Sequence, residues 1–246
     1  MSTATFSRSK RAKGIKSPSP AGGSTPRLLN GDHLAVPEFE RRYWAMPEIK
    51  KAELIEGIVV MSPPVSNTHG EAHGTVIYLL KRYAQATPGV SCGSNISVRL
   101  DGKNEYQPDA LLRIESDHQA GSKVAPDGLL DGCPEFVAEI AVSSAAYDLH
   151  EKKAVYQRCL VPEYFVWQVM DSKIRWFALE HGDYVELKPR ADGVIRSRTF
   201  PGLWLDVRAL LASDEKKVSR VLEKGLRSAE HARFLKRLAE ANWDKR

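Results

Sequence analysis

The sequence predicts an α/β fold, a central mixed β-sheet flanked by helices, and three observations carry that prediction. Short β-type runs come in pairs around turn dipeptides, at Glu56-Gly57, Asp101-Gly102 and His181-Gly182. Residues 67–86 place Val76, Leu79, Leu80 and Tyr83 at i, i+3, i+4 and i+7, the stripe of an amphipathic helix. Strands joined partly by hairpins and partly across a helix require a mixed sheet with helical cover.

The elements follow in order. Residues 1–30 are rich in Ser, Pro, Gly, Lys and Arg, lack core-forming residues, and read as a disordered basic arm. Val36, Phe39 and Tyr43 recur at helical spacing, so a short helix opens the fold within residues 32–44. Residues 52–61 read as a hairpin, and Ser62-Pro63-Pro64-Val65 ends it. Asn67 or Thr68 caps the helix over 67–86. Residues 90–100 and 107–114 read as strands, 115–133 as a polar loop, and 134–142 as an apolar strand with one acid in its middle. A helix over 147–159 ends near Pro162. Residues 163–169 form an apolar strand, and 173–179 with 183–187 a further hairpin. Residues 214–243 read as one charged helix with Val218, Val221, Leu222 and Leu226 on one face. The expected organisation is an arm over 1–30, a domain over 31–212 and a charged C-terminal helix over 213–246.

With 42% hydrophobic and 27% charged residues, the 246-residue chain has the makings of an ordinary core and surface. No run of 18 apolar residues exists, so no membrane span is expected. The basic N-terminus has no apolar stretch, which argues against a secretory signal; a transit peptide shares its composition but would be amphipathic. Cys92, Cys133 and Cys159 are scattered, without Cys-x-x-Cys spacing, which argues against zinc and suits reduced thiols in a cytoplasm. The net charge of +5 is uneven: residues 1–30 carry +6 and residues 213–246 carry +4, leaving −5 on the middle. Basic ends on an acidic domain suit a polyanionic partner, or are simply two solvated tails.

Three residues carry chemistry. Asp109 follows Pro108 at the start of a strand. Glu139 lies inside Phe136-Val-Ala-Glu-Ile-Ala-Val142, where an unpaired carboxylate would cost several kcal/mol to bury. Lys152 lies on the helix that follows. Neighbouring strands are about 4.8 Å apart, so two carboxylates on adjacent strands can share one hard cation. A nearby lysine then holds the attacking water or a phosphate oxygen.

The order Pro-Asp, then Glu on a strand, then Lys resembles the PD-(D/E)XK nuclease superfamily. The nearer resemblance is to the Uma family, second type, of restriction-type endonucleases. Four stretches carry it: Glu53-Leu-Ile-Glu-Gly57 with Met61-Ser-Pro63; Gln107-Pro-Asp109; Glu139 through Asp148 with Lys152 and Tyr156; and Val161-Pro-Glu-Tyr-Phe-Val-Trp167. Together they span roughly residues 33–180. The resemblance implies a restriction-endonuclease-like core, metal ligation by Asp109 and Glu139, and a lysine moved from the strand to the helix. The simpler superfamily pattern would place that lysine at position 141, which is Ala141 here, and related sequences often carry an acid where this chain has Val142.

Other groups have alternative readings. Asp109 also fits a simple turn residue; the metal role is preferred. Lys152 and Lys153 compete for one role. Asp148 reads as a first-turn helix residue, Tyr156 as packing, and Glu53 and Glu56 as hairpin residues. His69 stands where the resembling family often has histidine and either touches phosphate or water, or caps the helix. Glu71 and His73 are alternatives on the same helix. Glu105 reads as an acid behind the site or a solvent-facing one. The functional expectation is a Mg2+-dependent DNA endonuclease, with Mn2+ as substitute, and a homodimer if both strands are cut. The alternative is a catalytically silent nuclease-fold module that binds nucleic acid or a protein.

Overall fold

The computed structural model describes residues 25–115, 121–142 and 144–243. The arm expected over 1–30 lies outside them as far as residue 24. Residues 25–30 are described, and Leu28 is buried beside Phe39, Met46, Leu54 and Val59, so the fold begins earlier than its composition suggested.

The chain runs α1 (Val36–Trp44), β1 (Ala52–Ile55), β2 (Ile58–Met61), α2 (Asn67–Gln85), β3 (Val90–Ser94), β4 (Val98–Asp101), β5 (Asn104–Tyr106), β6 (Ala110–Ile114), β7 (Ser122–Val124), β8 (Leu130–Gly132) and β9 (Phe136–Ala141). It continues through α3 (Ala145–Leu149), α4 (Glu151–Arg158), β10 (Glu163–Gln168), β11 (Lys173–Glu180), β12 (Asp183–Glu186), β13 (Val194–Arg196), β14 (Trp204–Asp206), α5 (Val207–Leu211), α6 (Glu215–Leu226) and α7 (Ala229–Trp243). Two six-stranded mixed sheets result, ordered β2-β1-β5-β4-β8-β7 and β12-β11-β10-β9-β6-β3. Each has one parallel pair, β4 with β8 and β9 with β10. The α/β class with mixed sheets and flanking helices is therefore observed, with twelve strands divided between two sheets and β13 and β14 forming a separate antiparallel pair. Among the described residues no helix is long and apolar enough to cross a membrane.

Local chemistry explains the elements and the departures from expectation. Glu56 and Gly57 both have positive φ (52° and 80°), the twist of a two-residue hairpin turn, and His181-Gly182 repeats it. Ser66, rather than Asn67 or Thr68, caps α2 by accepting from the His69 N–H. The run 90–100 splits at Asn95, whose left-handed backbone (φ 50°) sends β3 and β4 into different sheets. The expected loop over 115–133 holds the hairpin β7–β8. The helix over 147–159 breaks at His150 (φ −117°, ψ −80°), and α4 begins there afresh. The single C-terminal helix is two, because residues 227–228 interrupt it.

The strand β9 positions the site. Ala138 and Ile140 join the cluster formed with α2, α6 and α7, through residues such as Val76, Leu222 and Phe234. Val137 and Ala141 join the cluster on the opposite face, with Val155 and Tyr156 of α4. Period-two alternation therefore points Glu139 toward α4. Gly225 of α6 lies against the Gly202 backbone, where a Cβ would overlap the Gly202 carbonyl. A Cβ added at Gly74 in α2 would meet nothing within 4 Å. Gly225→Ala should lower stability by about 1–3 kcal/mol through overpacking, and Gly74→Ala should raise it by about 0.5–1 kcal/mol through helix propensity. Denaturant titration of both variants checks the pair; equal effects would contradict this docking of α6.

Candidate metal and phosphate site

The site is built from a cross-strand pair. β6 and β9 run antiparallel with Ala110 opposite Ala138 and Leu111 opposite Val137. One step further along that register sets Asp109 opposite Glu139, on one face. The Ile140 N–H donates to Asp109 Oδ2 at 2.8 Å, tying the start of β6 to the residue after Glu139. His69, in the first turn of α2, meets the same oxygen through Nε2 at 3.2 Å. His73, one turn on, donates from Nε2 to the Asp109 backbone carbonyl at 2.8 Å. Lys51 Nζ lies 3.4 Å from Asp109 Oδ1.

Glu139 faces α4. Lys152, Val155 and Tyr156 are that helix's buried residues, at i, i+3 and i+4. Lys152 Nζ reaches Glu53 Oε2 at 2.8 Å, Glu139 Oε1 at 3.1 Å and Asp148 Oδ1 at 3.7 Å. The Tyr156 hydroxyl donates to Glu139 Oε1 at 3.2 Å. The Tyr106 ring stands 5.6 Å from Lys152 Nζ, in cation–π range. The Gln107 N–H, just after β5, donates to Glu53 Oε1 at 2.8 Å and so orients the acid of β1.

The three expected residues thus converge from the position just before β6, from β9 and from α4. Lys152 takes the inward position, whereas Lys153 lies over the Phe177 ring at 4.3 Å. Two residues given other roles by the sequence pattern belong here. Glu53 lies in the β1–β2 hairpin opposite Val60 and is also a partner of Lys152, and Asp148 turns inward rather than serving only the first helical turn. Tyr156 packs and also hydrogen-bonds Glu139. Glu56 pairs with Arg158 away from the site. Glu71 is exposed and accepts from the Asn67 amide. Glu105 is neither behind the site nor in solvent; it is buried opposite Arg99 and near Glu40. Lys51 belongs to no motif in the sequence, although it stands just before β1, two residues from Glu53.

The electrostatics show a deficit of positive charge. Four carboxylates, of Asp109, Glu139, Glu53 and Asp148, face two ammonium groups, of Lys51 and Lys152. Burial pushes Glu139 up to about 8, because Lys152 offsets only part of the desolvation and Asp109, Asp148 and Glu53 repel its charge. Burial also raises Asp148, against the pull of Lys152 and Ser144. Burial would raise Asp109 too, but His69, Lys51 and the Ile140 N–H together hold it well below the usual carboxylate range. Burial would lower both lysines, yet the surrounding carboxylates raise them. Among the described residues, no group of three or more His, Cys, Asp or Glu stands ready to cage a metal ion.

Lys152→Met should cost about 3–5 kcal/mol, since it strands three buried carboxylates. Glu139 makes a separate pH prediction for the metal-free protein. An acid raised from 4.5 to about 8 on folding stabilises the fold fully below 4.5 and loses that contribution as pH rises through about 8. In EDTA, the melting temperature should therefore fall across that window more steeply in the native protein than in Glu139→Gln. Parallel curves would contradict the raised Glu139.

Comparison with known proteins places the chain's family and fold. The family model described as "Putative restriction endonuclease" (Uma2) matches residues 36–208. Among solved structures, "a putative nuclease belonging to DUF820 from Anabaena variabilis ATCC 29413" aligns with a TM-score of 0.54 at 14% identity, covering 70% of this chain and 96% of that one. At that identity the likeness is one of fold. No curated protein matches the chain. The family model spans well over half of the sequence and takes in Asp109, Glu139 and Lys152, so the chain belongs to the Uma2 family of nuclease-type proteins.

Proposed function

We propose that the protein is a divalent-metal-dependent endonuclease that hydrolyses phosphodiester bonds in DNA, with Asp109 and Glu139 as metal ligands and Lys152 as the catalytic cation. The observation that carries this reading is the opposition of Asp109 and Glu139 across β6 and β9, inside a cluster with two more carboxylates than ammonium groups. A divalent cation would neutralise that excess. Two carboxylates with the remaining positions left to water and phosphate suit Mg2+ or Mn2+ rather than a closed zinc cage. When bound, such a cation neutralises phosphate charge and acidifies water.

The chain's own residues do the rest. His69 and the Ile140 N–H hold Asp109 Oδ2, which leaves Oδ1 to face a cation. Tyr156 and Lys152 hold Glu139 Oε1 in the same way. Lys152 is itself fixed by Glu53 and Asp148, so its charge stays beside the place where negative charge develops on the phosphate. Water's oxygen bonds to phosphorus as the bond to one sugar oxygen breaks; that oxygen keeps the electron pair and takes up a proton as water gives one up, leaving a phosphate monoester and a sugar hydroxyl. The basic arm, outside the described residues as far as residue 24, would add phosphate contacts and counterion release.

A second reading keeps the fold and drops the chemistry: Lys51 and Lys152 already pair both proposed ligands, as in a purely structural ion cluster. A silent module of that kind would bind nucleic acid or a protein without turnover.

Plasmid DNA incubated with Mg2+ or Mn2+ separates the two. The protein should cut it, EDTA should abolish cutting, and Glu139→Gln or Asp109→Asn should lower the rate by at least about a hundredfold while remaining folded. Absence of cutting on DNA and RNA by folded protein would favour the silent module. Deleting residues 1–24, which carry five Lys/Arg and no acid, should reduce the slope of log affinity against log salt by up to about four. That deletion spares the buried Leu28. An unchanged slope would remove the arm from DNA binding.

A further inference from the structure

The two oxygens of Asp109 are in different situations. Oδ2 is held by the Ile140 N–H and His69. Oδ1 has Lys51 Nζ, at 3.4 Å, as its hydrogen-bond partner among the described residues. The oxygen left to face a cation therefore already faces one, and that cation is tethered.

The two lysines differ in how readily they can leave. The Lys152 side chain is 6% exposed and meets three carboxylates, so moving it would strand all three. The Lys51 side chain is 22% exposed and, among the described residues, has one ion-pair partner within 4 Å, at a long distance. It sits just before β1, at the rim of the cluster, on a flexible four-carbon stem. Burial would lower the pKa of this ammonium, but the charges of Glu53, Glu139 and Asp109 raise it.

We infer that Lys51 is the resident cation of the metal-free site: it occupies the position at Asp109 Oδ1 that a divalent cation takes, and is displaced toward the rim when that cation binds. This rests on the proposed metal-dependent reading. Displacement is cheap because the stem reaches solvent and the displacing ion brings twice the charge. Once displaced by a metal ion, Lys51 would meet a substrate phosphate oxygen as its next anionic partner, so the ammonium that holds Asp109 without metal would serve the metal-bound site. The two lysines divide the work: Lys152 stays, and Lys51 moves.

Mn2+ binding by calorimetry, with melting temperatures in EDTA and in saturating Mn2+, tests this on the full chain. Lys51→Met should bind Mn2+ roughly three- to tenfold more tightly than the native protein, because a competing ion pair is gone. Lys51→Arg, which keeps a cation there, should restore near-native affinity. In EDTA, Lys51→Met should melt below the native protein, and the gap should close in saturating Mn2+; a lysine serving only the fold would keep the gap. Unchanged or weaker Mn2+ binding in Lys51→Met, with binding lost in Glu139→Gln, would overturn the role of Lys51 and leave the metal site standing. Absence of Mn2+ binding in both the native protein and Lys51→Met would overturn both.

Discussion

The constraint on which the structure depends is the carboxylate of Glu139, buried in the middle of an apolar strand. A lone ion there would cost several kcal/mol. The fold answers with Lys152 and Tyr156 from α4, and it anchors that lysine with Glu53 from β1 and Asp148 from α3, while Asp109 beside β6 adds a further carboxylate. Each is held in turn by a neighbour, as Glu53 is by the Gln107 N–H and Asp109 by the Ile140 N–H. The two sheets meet at this cluster, since β1 belongs to one and β9 to the other.

These contacts leave the cluster short of positive charge. A protein can carry such a deficit by binding a proton, as the raised Glu139 does, or by binding a cation. The same arrangement therefore links stability and chemistry. The groups that make Glu139 tolerable in a metal-free core are those that orient it for a divalent ion. Lys152 is fixed on every side, while Lys51 is held by one long contact at the rim, so replacing Lys51 disturbs the fold least.

Much of this is legible in the sequence. Glu139 stands out because an acid interrupts an otherwise apolar strand, and Asp109 because it follows Pro108 where a strand begins. Lys152 needs the family resemblance: its helix alone gives no reason to prefer it to Lys153, and the choice depends on the fresh start of α4 at His150. Glu53 carries the same signal as Glu139, a carboxylate among Ala52, Leu54 and Ile55, but its nearness to a turn makes a hairpin role equally natural. The roles of Asp148 and Lys51 are hidden in the sequence, because they depend on which sheet faces which helix. The fold class is legible from hairpin turns and helix periodicity. The parting of β3 and β4 into different sheets is not, since it occurs at the left-handed backbone of Asn95, which no apolar pattern marks.

Whether Asp109 and Glu139 share one divalent cation is tested most directly by crystals of the full chain soaked in Mn2+, with anomalous scattering recorded near the manganese edge. An anomalous peak is expected between Asp109 Oδ1 and the Glu139 carboxylate, with Lys51 moved off Asp109 and Lys152 unmoved. No peak at that position under saturating Mn2+, with Lys51 still on Asp109, would contradict a shared cation and identify the cluster as an internal ion network of the fold.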